Sequence, residues 1–240
     1  MKKQNINAPR ITVVVPAYNE EKYLRQTITF LRKQNFPNFE ILVVNNASTD
    51  KTEKIAKKYA DRVVYEPKKG FYYSMYKGLI EAKGEIVVRS DADNKPEKDW
   101  LEKIVANFEK DPKIIGVTGP SYFYETKGIL RFLSWFGIIL SLISARFLMG
   151  HHQFNGHNMA IKKRIITKMK PHIDSKLVND DIDLSCHAKE YGKIVCDFSL
   201  IMPTSARHFE RDAFFLLDYS FKHFYSIFLH HPSHILHKVS

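Results

Sequence analysis

From Ile11 to Asp93 the chain alternates short, β-branched apolar runs with helical segments, and no other feature of the sequence restricts its fold as much. Ile11–Val15, Phe39–Val44, Val63–Tyr65 and Glu85–Arg89 read as buried strands. The segment opened by Asn19-Glu20-Glu21, then Lys51–Tyr59 and Gly70–Lys83, read as the intervening helices. Pro16 is expected to stop the first strand. Asn19 is expected to cap the first helix, with acids in its opening turn. Such repetition implies a parallel sheet with right-handed crossovers, which gathers the loops after the strands at one edge.

At that edge the fourth strand ends in Ser90-Asp91-Ala92-Asp93. Carboxylates at the carboxyl end of a parallel strand open onto the crevice where α/β sheets bind ligands. There Asp91 and Asp93 could share one hard cation, Mg²⁺ or Mn²⁺, whose other ligand is a diphosphate. Taken alone, Asp-x-Asp equally fits a solvated turn or the cap of the helix that Pro96-Glu97 begins.

Beyond Asp93, Trp100–Phe108 reads as a helix and Ile114–Thr118 as a strand. An uncharged run follows from Phe132 to Ala145, bracketed by Arg131 and Arg146; at fourteen residues it is too short to span a bilayer, which needs roughly 20. Ser134, Gly137, Ser141 and Ser144 form a small-residue stripe along it, suited to close approach of another backbone. Its bulky faces need a core, a second subunit or a membrane interface. Asn155-Gly156-His157-Asn158 then suggests close backbone approach. Asn179-Asp180-Asp181-Ile182-Asp183-Leu184 places three acids in four positions at a helix start, more than capping requires. Lys193–Cys196 and Leu200–Met202 read as short strands.

With 240 residues and 44% hydrophobic content, the chain is large enough for one catalytic-sized domain, residues 1–207, including an apolar helical insert at about 128–149. An amphipathic, aromatic and histidine-rich segment, 208–240, completes it. Two cysteines, Cys186 and Cys196, make no disulfide framework and fit a reducing compartment. Met1–Arg10 lacks an apolar signal core, so a cytoplasmic location is expected. The net charge of +11 favours anionic partners: nucleic acid, a membrane surface or phosphorylated small molecules. No nucleic-acid-binding motif supports the first. His151, His152 and His157 raise the question of a metal cluster, although neutral histidines serve a core or pocket equally well.

In order and spacing, Val14-Val15-Pro16-Ala17-Tyr18-Asn19-Glu20, Asn45-Asn46-Ala47-Ser48-Thr49-Asp50, Ser90-Asp91-Ala92-Asp93, Gly156-His157-Asn158-Met159-Ala160 and Asp180-Asp181-Ile182-Asp183-Leu184 resemble the motif series of glycosyltransferase family 2. The resemblance covers roughly residues 10–205. It implies an inverting enzyme of the GT-A fold, a Rossmann-like, mostly parallel sheet flanked by helices. It further implies that Pro16, Tyr18, Glu20, Asn46 and Asp91 bind a UDP- or GDP-linked sugar, and that Asp93, with Asp91, holds Mn²⁺ or Mg²⁺. By the same resemblance Asp181 is the catalytic base, while Gly156, His157, Asn158 and Asp180 surround the acceptor. A carboxylate that takes the acceptor's proton and a cation that stabilises the leaving diphosphate are what in-line displacement at an anomeric carbon requires.

Three positions depart from the family pattern. Asn45 stands where Asp is common, Gly70–Gly78 lacks the usual small-Arg-Asn sequence, and the Gln-x-x-Arg-Trp motif of processive members is missing, Arg207-His208 being the nearest basic pair. A single-addition transferase is therefore expected; the Arg-bracketed run of Phe132 to Ala145, the aromatic, histidine-rich tail and the net charge of +11 point to a lipid-linked hydroxyl acceptor at the inner face of the cell membrane, in envelope, glycolipid or polysaccharide synthesis. A polyprenyl-phosphate sugar synthase, whose acceptor phosphate needs no base, is the enzymatic alternative. A non-catalytic, membrane-peripheral nucleotide-sugar binding protein is the other.

Overall fold

The computed structural model of the protein describes residues 9–175, 177–207 and 213–230. Nine strands lie among these residues: β1 Ile11–Ala17, β2 Phe39–Asn45, β3 Arg62–Tyr65, β4 Ile86–Arg89, β5 Ile114–Thr118, β6 Ser121–Phe123, β7 Met159–Lys162, β8 Lys193–Cys196 and β9 Met202–Thr204. The helices are α1 Leu24–Leu31, α2 Thr52–Tyr59, α3 Phe71–Glu81, α4 Trp100–Lys110, α5 Gly128–Met149, α6 Lys163–Ile166, α7 Asp180–Lys189 and α8 Ala213–His230. Seven strands form one sheet in the order β3-β2-β1-β4-β7-β5-β8, and β6 pairs with β9 apart from it. Only β7 runs antiparallel to its neighbours β4 and β5, so the sheet is mostly parallel, as the alternation requires.

Both faces of the sheet are covered, which explains why its strands are apolar throughout rather than alternating. On one face Val13, Val15, Ile41 and Val43 pack under α1 and α4, through Leu24, Ile28, Trp100 and Ile104. On the other, Val14, Leu42, Val44 and Val87 meet Met75 and Leu79 of α3 and Leu184 of α7. Each such fully buried side chain contributes about 1.5–3 kcal/mol relative to exposure.

Two expectations for the first turn of the fold fail. Pro16 does not end β1, which continues to Ala17 with Pro16 opposite Val44. Val14 O accepts from Ser90 N, so the same edge two residues later faces the place where β4 has already ended, and little is lost by the missing N–H. Asn19 does not cap α1, whose N-cap is Tyr23 without a side-chain bond and whose first turn holds no acid. Asn19 instead adopts a left-handed backbone (φ 54°), and its Oδ1 accepts from Thr49 N at 2.9 Å, tying together the loops after β1 and β2.

The apolar run is also longer than it reads. The helix α5 takes in 22 residues, about 33 Å at 1.5 Å per residue, and Arg131–Met149 is long and apolar enough to cross a membrane. Shortness therefore cannot exclude a span. Most of the small-residue stripe receives no close neighbour either: nothing lies within 4 Å of where a Gly137 Cβ would be, the Ser134 and Ser144 hydroxyls donate to carbonyls of their own helix, and Ser141 Oγ alone accepts from outside it, from Gln153 Nε2 at 3.5 Å. Leu142, Ala145 and Met149 are buried, the last two in a cluster with Ile182 and Cys186 of α7 and Ile227 of α8. Ile129, Phe132, Leu133, Phe136, Leu140, Ile143 and Phe147 are exposed and recur every three or four residues along the opposite stripe. The C-terminal helix α8 packs on α7 and buries Ser226 and Ile227 there, while residues 208–212 and 231–240 lie outside the described residues.

Candidate active site

The last residue of β4 organises the crevice. Arg89 is an arginine at the end of an apolar strand, and its guanidinium is almost wholly enclosed. Nε donates to Asp91 Oδ1 at 3.2 Å, while Nη1 donates to Asp181 Oδ1 at 2.7 Å and Asp180 Oδ2 at 3.2 Å. Glycine is needed at 156 because a Cβ there would sit 2.4 Å from the guanidinium, so the close approach expected at Gly156 is to Arg89. The other oxygen of Asp91 lies 2.7 Å from His157 Nδ1. Burial opposes its charge, yet Arg89 and His157 hold the Asp91 carboxyl well below the usual carboxylate range.

The cap of α7 is Asn179, whose Oδ1 accepts from Asp181 N and Ile182 N, and this releases all three acids for other work. Asp181 is fixed by Arg89 on one oxygen and by Gly156 N on the other, at 2.9 Å. Burial, then the charge of Asp181, push the Asp180 carboxyl up to about 7 despite Arg89. The third acid, Asp183, points away to a separate cluster.

Asp93 is buried, with Oδ2 2.8 Å from Arg207 Nε, and Arg207 Nη2 reaches Glu20 Oε1 at 2.5 Å. A guanidinium thus joins the loop after β1 to the end of the Asp-x-Asp. Burial pushes the Glu20 carboxyl up even beside Arg207, and Glu20 Oε2 is buried without a hydrogen bond. Tyr18 is exposed beneath Lys69 Nζ, 5.3 Å from its ring centre. Asn46 is buried and acts as a clamp: its Nδ2 donates to Glu66 O and Lys68 O, and its Oδ1 accepts from Gly70 N. Asn158 has no surface toward an acceptor. It is fully buried, accepting from Trp100 Nε1 at 2.9 Å and donating to Pro120 O and Leu200 O, so it holds the floor of the crevice together.

The fold therefore brings Asp91, Asp180, Asp181, Gly156 and His157 together around Arg89, and Glu20 and Asp93 around Arg207. Sequence reading assigned neither arginine a role. A lone cation closing an apolar strand was the signal for Arg89; Arg207 stood out only as half of the basic pair Arg207-His208. The grouping of His151, His152 and His157 does not form: His157 serves Asp91, while His151 Nδ1 lies 3.0 Å from His152 O and its Nε2 3.8 Å from Cys186 Sγ. For a hard cation the oxygen donors are Asp93 and Asp91, with the unpartnered Glu20 oxygen beside them, and these fit Mn²⁺ or Mg²⁺ chemically once Arg207 yields Asp93.

A two-faced, mostly parallel sheet with acids at the carboxyl end of a central strand defines a GT-A protein, and solved structures agree. A mannosyltransferase from Pyrobaculum calidifontis in complex with GDP-Man and Mn²⁺ superposes with a TM-score of 0.65 at 23% identity, over 83% of this chain and 58% of that one. Glucosyl-3-phosphoglycerate synthase from Mycobacterium tuberculosis, in complex with Mn²⁺, UDP and phosphoglyceric acid, gives 0.66 at 18%, over 93% and 78%. The model of glycosyl transferase family 2 matches residues 12–169, and the chain belongs to that family. An uncharacterised glycosyltransferase of Haemophilus influenzae is 37% identical over 114 residues, 45% of this chain and 35% of that protein. The probable glycosyltransferase YdaM of Bacillus subtilis is 28% identical over 202 residues, 77% and 47%. The chain thus spans about half or less of the length of these relatives.

Proposed function

We propose that this chain is a catalytic unit that transfers a sugar, with inversion, from a nucleoside-diphosphate sugar to an acceptor hydroxyl. The observation that carries the reading is Arg89, which sets the Asp-x-Asp acid and the paired acids of α7 around one guanidinium. Donor and acceptor ends of a displacement reaction are thereby fixed relative to each other. Asp181 takes the acceptor's proton. Its two hydrogen bonds orient it, and the Asp180 carboxyl next to it, pushed up to about 7, takes up a proton near neutral pH. Asp93 and Asp91 would hold Mn²⁺ or Mg²⁺, which when bound neutralises the leaving diphosphate. Related folds bound to GDP-Man or UDP-GlcNAc support the donor class.

The acceptor proposed is lipid-linked, at the inner face of the cell membrane. Seven exposed apolar residues follow one stripe of α5, and Phe221, Phe224 and Phe228 are exposed on α8. Because Ala145 and Met149 pack against α7 and α8, α5 is held to the catalytic unit at its C-terminal end, a geometry for lying in the interface rather than crossing it.

The test is Asp181→Asn in a transfer assay with a donor selected by thermal shift. Donor affinity should persist while turnover falls about 10²- to 10⁴-fold, the usual contribution of a general base. Undiminished turnover would remove the base assignment, and no stabilisation by any UDP- or GDP-sugar with Mn²⁺ would remove the transferase reading.

A further inference from the structure

Helix α7 carries a second polar cluster that the transfer chemistry does not use. Asp183 is completely buried. Its Oδ1 lies 2.7 Å from His172 Nδ1, 2.9 Å from His230 Nε2 and 3.5 Å from His187 Nε2. Its Oδ2 accepts from the Tyr72 hydroxyl at 2.7 Å and from His172 N at 2.8 Å. The three imidazoles face one another with ring centres 5.2–5.5 Å apart, and Nε2 of His187 is buried without a hydrogen bond. Asp183 and His187 share a face of α7 at i,i+4, His172 comes from the segment before α7, and His230 is the last residue of α8.

We propose that His172, Asp183, His187 and His230 form a structural site for one divalent transition metal of the zinc class. One ligand atom from each residue lies within 4.8 Å of all the others. Tetrahedral zinc, with bonds of about 2.0–2.2 Å to nitrogen and oxygen, sets its ligands roughly 3.3–3.5 Å apart, so side-chain shifts of about an ångström close the shell. Three imidazoles select zinc, nickel or copper over magnesium or manganese, in contrast to the all-oxygen donors at Asp91 and Asp93. Tyr72 and His172 N hold the second oxygen of Asp183, the outer support that orients a metal-binding carboxylate. Four protein ligands from three segments leave no open position for catalysis. The metal instead pins the C-terminal helix to the helix that bears Asp180 and Asp181. This site stands independently of the transferase reading.

Full-length protein stripped with chelator is titrated with Zn²⁺ and, in parallel, Co²⁺ in excess Mg²⁺, then desalted and analysed for bound metal, visible absorption and Tm. One zinc per chain, an intense four-coordinate Co²⁺ spectrum and a rise in Tm are expected. His172→Ala and His187→Ala should each weaken Co²⁺ binding at least tenfold. His172 is about half exposed and is the substitution least able to disturb folding. Substoichiometric zinc after desalting, or a Co²⁺ spectrum unchanged by both substitutions, overturns the site; the latter result would trace binding to the histidines of the tail.

Discussion

Nη1 of Arg89 donates to Oδ1 of Asp181 at 2.7 Å across 92 residues of sequence, while Nε of the same guanidinium holds Asp91. Three carboxylates therefore depend on one buried cation. Arg89→Ala should destabilise the fold by about 3–5 kcal/mol in urea unfolding at pH 7, the usual cost of leaving buried charges unpaired. The loss should shrink at pH 4, where protonation relieves part of the repulsion. Equal loss at both pH values would mean that Arg89 contributes packing rather than charge.

Asp180 gives a pH dependence of defined sign. Its folded-state pKa, about 7, lies above the unfolded value, so it supports folding below the unfolded pKa and that support is lost as pH rises through 7. Asp180→Asn, which stays neutral, should match the parent Tm near pH 4 and exceed it at pH 8. A gain of about 1–3 kcal/mol corresponds to a rise of roughly 2–12 °C for a chain of this size. A Tm difference that stays constant from pH 4 to 8 would show that Asp180 keeps an ordinary carboxylate.

Arg207 Nε donates to Asp93 Oδ2 at 2.8 Å, an oxygen that a cation would share. Removing the competing charge in Arg207→Ala should tighten nucleotide-free Mn²⁺ binding about tenfold, ~1.4 kcal/mol, measured by the loss of free Mn²⁺ signal in electron paramagnetic resonance. Weaker Mn²⁺ binding in the variant would mean that Arg207 organises the site instead of competing for it.

The exposed stripe of α5 predicts that the protein co-sediments with anionic liposomes at low salt and that Phe136→Asp, in the middle of that stripe, reduces binding several-fold without changing Tm. Protein that stays in the supernatant, or binds equally with the aspartate in place, would separate the stripe from lipid.

The β-α alternation, the strand-terminal Asp91 and Asp93 and the acid-rich start of α7 were legible in the sequence because each is a local pattern: apolar runs of strand length, a switch from apolar to acidic, and more acids than a cap can use. The antiparallel β7 was not legible, since four residues of Met159–Lys162 carry no mark of direction. Nor were the partners. Arg89 and Asp181, Arg207 and Asp93, and Asp183 with His172 and His230 lie 11 to 114 residues apart. What pairs them is burial: a charge enclosed by the sheet and its helices must find its counter-charge inside, and which one it meets depends on how strands and helices pack, not on their order in the chain. Asn158 shows the same division from the other side. Its neighbours in sequence suggested an acceptor pocket, but packing placed its amide between Trp100, Pro120 and Leu200, where it joins segments of the fold.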